Sequence, residues 1–282
     1  MTCILHIEAP RTICRLSEPL HNLGVLEDLL RRDRLIVGLC LLFIICLAGA
    51  YILSGAGMDM SAWQMSQPMR HMGPMDFPPW SATHAFIMFL MWWVMMIAMM
   101  LPSATPTILL AAALNRRSQS ETAPYGSTGL FCLGYLLAWA AFSLLAVLSQ
   151  WGLERGAMLS MHLETVPTAL TGSLLVAAGI WQLTPMKAAC LRQCRSPADF
   201  LVQHRRTRPW GALLMGTHHG LYCLGCCWAL MALLFVGGVM NIAWIVGLAA
   251  FVITEKTWVA GPQLGRLAGL LLLLAGVFLL VS

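Results

Sequence analysis

Apolar residues gather along the chain into seven blocks, at residues 35–53, 84–101, 129–148, 167–184, 210–236, 241–254 and 264–281. A helix needs about 18 to 25 mostly apolar residues to cross the hydrocarbon core of a bilayer. The pattern therefore predicts an all-α fold, a polytopic transmembrane helical bundle of about seven spans. The sixth block is the weakest separate crossing, since only Gly237, Gly238, Val239 and Met240 part it from the fifth. A tight glycine turn joins the two in this reading.

The polar breaks set the organisation. Residues 1–34 mix prolines with charges and read as a cytoplasmic N-terminal segment. Residues 35–282 read as one transmembrane domain, with a methionine-rich outer loop at 54–83 and a basic, cysteine-containing inner loop at 185–209. Lys and Arg concentrate in cytoplasmic loops. With the N-terminus inside, fifteen of the 17 Lys and Arg residues fall in inner segments, and only Arg70 and Arg155 fall outside. The first block starts late for a cleaved signal, so a retained anchor is expected.

Composition agrees: 59% of residues are hydrophobic and 10% charged, so a lipid bilayer is the expected surrounding. The net charge of +5 follows from the topology, and no nucleic-acid partner is needed to account for it. Of ten cysteines none lies in an outer loop, which argues against a disulfide scaffold. The chain carries no Walker loop, dinucleotide fingerprint, His-Glu-x-x-His or nucleophile elbow, so ATP-driven pumping by this chain alone is not expected and no catalytic residue is assigned.

Chemistry concentrates in the fifth block, where two imidazoles and three thiols interrupt an apolar stretch. A helix turns about 100° per residue, so from His219 the side chain of Cys223 lies about 40° away, Cys226 about 20° on the other side and Cys227 about 80°. Thiolate with imidazole suits Cu(I), with Zn(II) or iron as alternatives, and reactive groups at bilayer depth are functional candidates by default. His219, Cys223 and Cys226 are the favoured ligands, with Cys227 and His218 beside them. The competing account is packing: Gly216 and Gly220 form a small-xxx-small motif, the cysteines act as small residues, and the histidines bond carbonyls. Gly216 with Gly220, or Gly265 with Gly269, would then mediate an oligomer.

Methionine is the second signal. Six of 19 lie in the outer loop, with Met58, Met60 and Met72 beside His71 as a capture site for Cu(I) on an oxidising surface; an interfacial segment with methionine as filler is the alternative. In the second block His84, Met88, Met91, Met95 and Met99 fall within about 60° on one helical stripe ending near Pro102, a candidate conduit or a packing row. Met96 and Met100 lie off this stripe and are expected to pack against lipid or neighbours. In the inner loop, Cys190 and Cys194 stand one turn apart near Arg192 and Arg195, placed to receive metal or simply part of a solvated basic loop. Glu255 and Lys256 most simply pair with each other or with neighbours.

Four segments carry a resemblance: 93–106 (WVMMIAMMLPSATP), 182–197 (QLTPMKAACLRQCRSP), 219–231 (HGLYCLGCCWALM) and 238–241 (GVMN). From about residue 84 to 256 the chain resembles the bacterial family of predicted metal-binding integral membrane proteins, domain of unknown function 2182. The resemblance implies a multi-pass bacterial inner-membrane protein whose Met, His and Cys motifs are suspected metal ligands.

These observations point first to soft-metal handling, with Cu(I) taken up or delivered together with a metal-donor or acceptor protein, rather than to an enzyme. A metal-containing subunit of a membrane oxidoreductase and a non-metal membrane assembly protein are the alternatives.

Overall fold

Every regular element among the described residues is helical, as the apolar periodicity requires when backbone groups must bond within their own segment. The computed structural model describes residues 19–55, 80–118, 124–159, 164–165, 167–204 and 210–282. In chain order the helices are α1 (Pro19–Leu53), α2 (Ala82–Ser118), α3 (Pro124–Arg155), α4 (Thr168–Leu183), α5 (Pro185–Arg195), α6 (Pro197–Gln203), α7 (Gly211–Ala232), α8 (Leu234–Gly237), α9 (Ile242–Thr257) and α10 (Gly261–Val281).

Five helical stretches are long and apolar enough to cross a membrane: Leu35–Leu53, Ala82–Asn115, Ser127–Arg155, Gly211–Gly237 and Gly261–Val281. A sixth arises if α4 and α5, bent by 64°, count as one broken span. Length and composition therefore support five or six of the expected seven among the described residues. The block at 241–254 falls short because α9 has 16 residues, about 24 Å at 1.5 Å per residue, against a hydrocarbon core of about 30 Å.

Two segments between or before the apolar blocks are helical. Helix α1 starts at Pro19, so its apolar block is the second part of a longer helix. The described part of the segment read as an inner loop at 185–209 holds α5 and α6, with Lys187, Leu191, Phe200 and Leu201 buried. The reason lies in local chemistry: Pro185 and Pro197 start helices, and the Thr184 hydroxyl accepts from the Lys187 backbone N–H at 3.2 Å as an N-cap.

Helices α3 and α7 run side by side in the same direction, with Gly216 against Phe131 and Gly220 against Tyr135 and Ala138. A methyl group at Gly216 would strike the Phe131 backbone, so this close approach requires glycine. Gly265 faces Glu255 and Lys187, and Gly269 faces Gln182 and Gly179. Both glycine pairs singled out for an oligomer are therefore seated within the chain itself. After α8, Gly238 adopts φ +89° and Asn241 caps α9 by accepting from the Trp244 N–H at 3.3 Å. This is the glycine turn that the four-residue separation foretold.

Polarity is distributed from inside outward. Gln150, Gln182, Lys187, His219, Glu255 and Lys256 are buried, while Leu39, Phe43, Leu274 and Phe278 stand exposed on α1 and α10. Water does not favour such an arrangement, and lipid does. The core between α2, α3 and α7 holds Met91, Met95, Met96, Met100, Trp92, Phe131 and Tyr135, each 0% exposed.

Candidate metal centre

The centre is built by α7 and completed by helices far away in sequence. On α7 one helical face buries His219, Cys223, Cys226 and Cys227 together, as the 100° periodicity predicts. The thiols of Cys226 and Cys227 both donate to the Cys223 carbonyl, at 3.1 and 3.0 Å. Such bonds hold the three sulfurs beside one turn of helix.

Helix α5 brings the second pair of thiols. The bend at Thr184 turns α5 along α7, and the Trp181 indole N–H donates to the Gly225 carbonyl at 3.1 Å, fixing the end of α4 to the same turn. Cys194 lies close enough to Cys223 and Cys226 for its side chain to interact with both. Cys190 packs against Gly225, where an added methyl would overlap its sulfur. The motifs at 190–194 and 223–227, which the sequence reading set on separate sides of a transfer step, thus form one cluster.

Long-range polar contacts pin α5 to α9. Buried Lys187 pairs with buried Glu255, so of the two expected arrangements Glu255 and Lys256 take the one with other neighbours. The Arg195 guanidinium donates to the carbonyls of Glu255 and Trp258, each at 2.7 Å, at the C-terminal end of α9 where carbonyls lack helical partners. So held, α9 directs Lys256 into the cluster: its ammonium lies 3.0 Å from Cys223 Sγ and 3.0 Å from Ser103 Oγ.

Helix α2 supplies the thioether. Cys227 Sγ lies 3.8 Å from Met100 Sδ. The Tyr135 hydroxyl reaches both the Met100 carbonyl and Cys223 Sγ, each at 3.2 Å. Met96 and Met100, expected off the stripe against lipid or neighbours, are wholly buried, and Met100 is the methionine that touches the thiols. Sequence reasoning missed Met100, Tyr135, Ser103 and Lys256. An available signal was Lys256 itself, an ionisable residue ending an apolar helix.

The other candidates separate into three groups. His219 does not share a point with the thiols; its ring packs among Phe131, Tyr135 and Phe200 at centroid distances of 5.9, 5.8 and 5.1 Å, and its buried Nδ1 has no hydrogen-bond partner. His218 is half-buried and meets His204 edge to face at 5.8 Å. On α2, Met88, Met91, Met95 and Met99 are buried as one column. Met88 Sδ accepts from Gln150 Nε2 at 3.5 Å, and Gln150 in turn joins Glu154 and Trp92. His84 stands at the head of that column, edge to face with Trp80 at 5.0 Å. Met58, Met60, His71 and Met72 lie outside the described residues.

Among the described residues no group of three or more His, Cys, Asp or Glu side chains surrounds a single point as an ion's ligands would. The geometry gives the reason: the thiols of Cys226 and Cys227 are turned back onto the Cys223 carbonyl, and His219 is occupied by ring contacts. The donor chemistry nevertheless fits a soft ion, since Cys194, Cys223, Cys226 and Cys227 lie near one another, Met100 touches Cys227 and Lys256 brings a positive charge to Cys223.

A family model described as PpoB2, copper chaperone, matches residues 89–279. That span contains Met100, Cys190, Cys194 and the whole of α7. No curated protein and no solved structure matches the chain.

Proposed function

The chain belongs to this copper chaperone family, and from that premise we propose that it carries Cu(I) within a lipid bilayer and passes it to an acceptor protein. The observation that carries the proposal is the clustering of Cys194, Cys223, Cys226 and Cys227, with Met100 in contact with Cys227. Thiolate and thioether are the ligands that Cu(I) prefers. A two-sulfur site is enough for this ion, so rotation of the Cys226 or Cys227 side chain away from the Cys223 carbonyl readies a ligand without moving the backbone.

The methionine column supports a route to that site. Met88, Met91, Met95 and Met99 carry neutral thioethers that bind without losing a proton, and they occupy the same helix that presents Met100 to Cys227. Donors strengthen from thioether to thiolate along this path, a direction suited to capture followed by delivery. In this reading His84 stands at its mouth, and Met58, Met60, His71 and Met72 serve as first captors.

The proposed orientation has the N-terminus in the cytoplasm of a bacterial cell and the bundle in its inner membrane. Same-direction packing of α3 with α7 and opposed packing of α4 with α10, where Gly172 meets Gly276 and Gly179 meets Gly269, agree with the alternation that collects most Lys and Arg on one side.

Elemental analysis tests the function. Protein purified anaerobically with Cu(I) is expected to retain copper at one equivalent, and Cys223→Ser/Cys226→Ser protein to lose it. Equal trace copper in both would reject the site.

A further inference from the structure

We infer that Lys256 is the built-in counter-charge of the metal complex and selects monovalent over divalent ions. The inference deepens the copper reading and rests on it. Lys256 is 7% exposed, and its ammonium has two polar neighbours, the neutral Ser103 hydroxyl and the Cys223 sulfur. The nearest carboxylate in sequence, Glu255, is committed to Lys187. Around the sulfur cluster stand Tyr135, His219, Cys194, Cys226 and Cys227, without a carboxylate among them, and the Glu255 carboxylate, which also faces Cys226 and Lys256, is balanced by Lys187 so that the pair adds no net charge. A buried charge left without an opposite charge is strongly unfavourable, and more so in an apolar core. The cation at Lys256 is therefore matched by sulfur.

Charge counting then discriminates between ions. A monovalent ion held by two thiolates is an anion with net charge −1, and the ammonium of Lys256 makes the assembly neutral. A divalent ion on the same two thiolates is already neutral, so Lys256 leaves an uncompensated positive charge. A third thiolate would restore balance for the divalent ion. However, no three such donors converge on one point among the described residues. Met100 adds a soft ligand without charge. Lys256 acts through the thiolates rather than touching the ion, and is a positioning and selectivity residue.

The test is a ratio of affinities in the full-length protein, using Cu(I) with a competing Cu(I) chelator under anaerobic reducing conditions and Zn(II) with a chromophoric Zn(II) chelator. In Lys256→Met the Cu(I):Zn(II) affinity ratio is expected to fall at least about tenfold, because the charged complex loses its buried partner. Lys256→Arg, which keeps the charge, is expected to preserve most of the ratio. A purely structural lysine would lower both affinities together and leave the ratio where it was. An unchanged ratio in Lys256→Met, or an equal fall in Lys256→Arg, overturns the inference while leaving the copper site standing. Failure of the unaltered protein to bind Cu(I) overturns both. Lys256→Gln carries the same comparison if Lys256→Met does not fold.

Discussion

The sulfur of Cys227 lies 3.8 Å from that of Met100, joining α7 to α2 through two soft atoms 127 residues apart. Met96, one turn earlier on α2, is equally buried but has no such thiol contact among its described interactions. Met100→Leu removes the thioether while nearly conserving volume, so the stability cost is expected to stay below about 1.5 kcal/mol. Copper affinity, measured by chelator competition, is expected to fall about tenfold, the equivalent of about 1.4 kcal/mol. Met96→Leu serves as control and is expected to leave affinity unchanged. Equal effects from the two substitutions would assign Met100 to packing alone.

How far the sequence reveals this arrangement depends on the range of the interactions. The α7 stripe is legible because His219, Cys223, Cys226 and Cys227 are related by the local turn of one helix. The methionine column is legible for the same reason, and its burial follows. The position of α5 is not legible. Its polar and basic residues read as a loop, whereas Lys187 and Arg195 are consumed by Glu255 and Trp258 some 60 to 70 residues on. Likewise Lys256 gives no local sign that its partner is Cys223 on another helix. At α9 the apolar pattern reads as a span, while its 16 residues fall short of the usual spanning length.

The Lys187–Glu255 pair joins α5 to α9 from inside the core. Removing one partner strands the other as a buried charge, so Lys187→Met or Glu255→Gln alone is expected to destabilise by about 3–5 kcal/mol. The double variant is expected to cost much less than the sum, a coupling readable from thermal or chaotrope unfolding in detergent. Additive losses would mean that the pair does not hold these helices together. Because the same pair sets the position of Lys256, both single variants are also expected to lose copper affinity.

Glycine spacing gives a separate test of the α3–α7 contact. In Gly216→Ala the new methyl meets the Phe131 backbone, which cannot yield as a flexible side chain would. A loss of about 1–3 kcal/mol is expected. At Gly247, on α9, nothing lies within 4 Å of an added methyl, so Gly247→Ala is expected to be neutral or to stabilise by up to about 1 kcal/mol through helix propensity. Thermal unfolding of the two variants in the same detergent compares them directly. A neutral Gly216→Ala would mean that α3 and α7 are not packed at this distance.

Cys194 offers the sharpest separation between a site made by α7 alone and one shared with α5. Its side chain lies near both Cys223 and Cys226, while Cys190, one turn away, contacts Gly225. Replacing a thiol by a hydroxyl keeps the hydrogen-bonding capacity and removes the soft donor. Cys194→Ser is therefore expected to fold normally yet bind Cu(I) at least about tenfold more weakly, the equivalent of about 1.4 kcal/mol. Cys190→Ser is expected to change affinity by less than a factor of about three, a difference below 1 kcal/mol. X-ray absorption of the copper-loaded proteins gives an independent reading, since loss of a sulfur scatterer in Cys194→Ser but not in Cys190→Ser identifies the ligand directly. Should Cys194→Ser retain full affinity and an unchanged sulfur count, ligation belongs to α7 and Met100, and α5 serves only to cover the thiols and position Lys256.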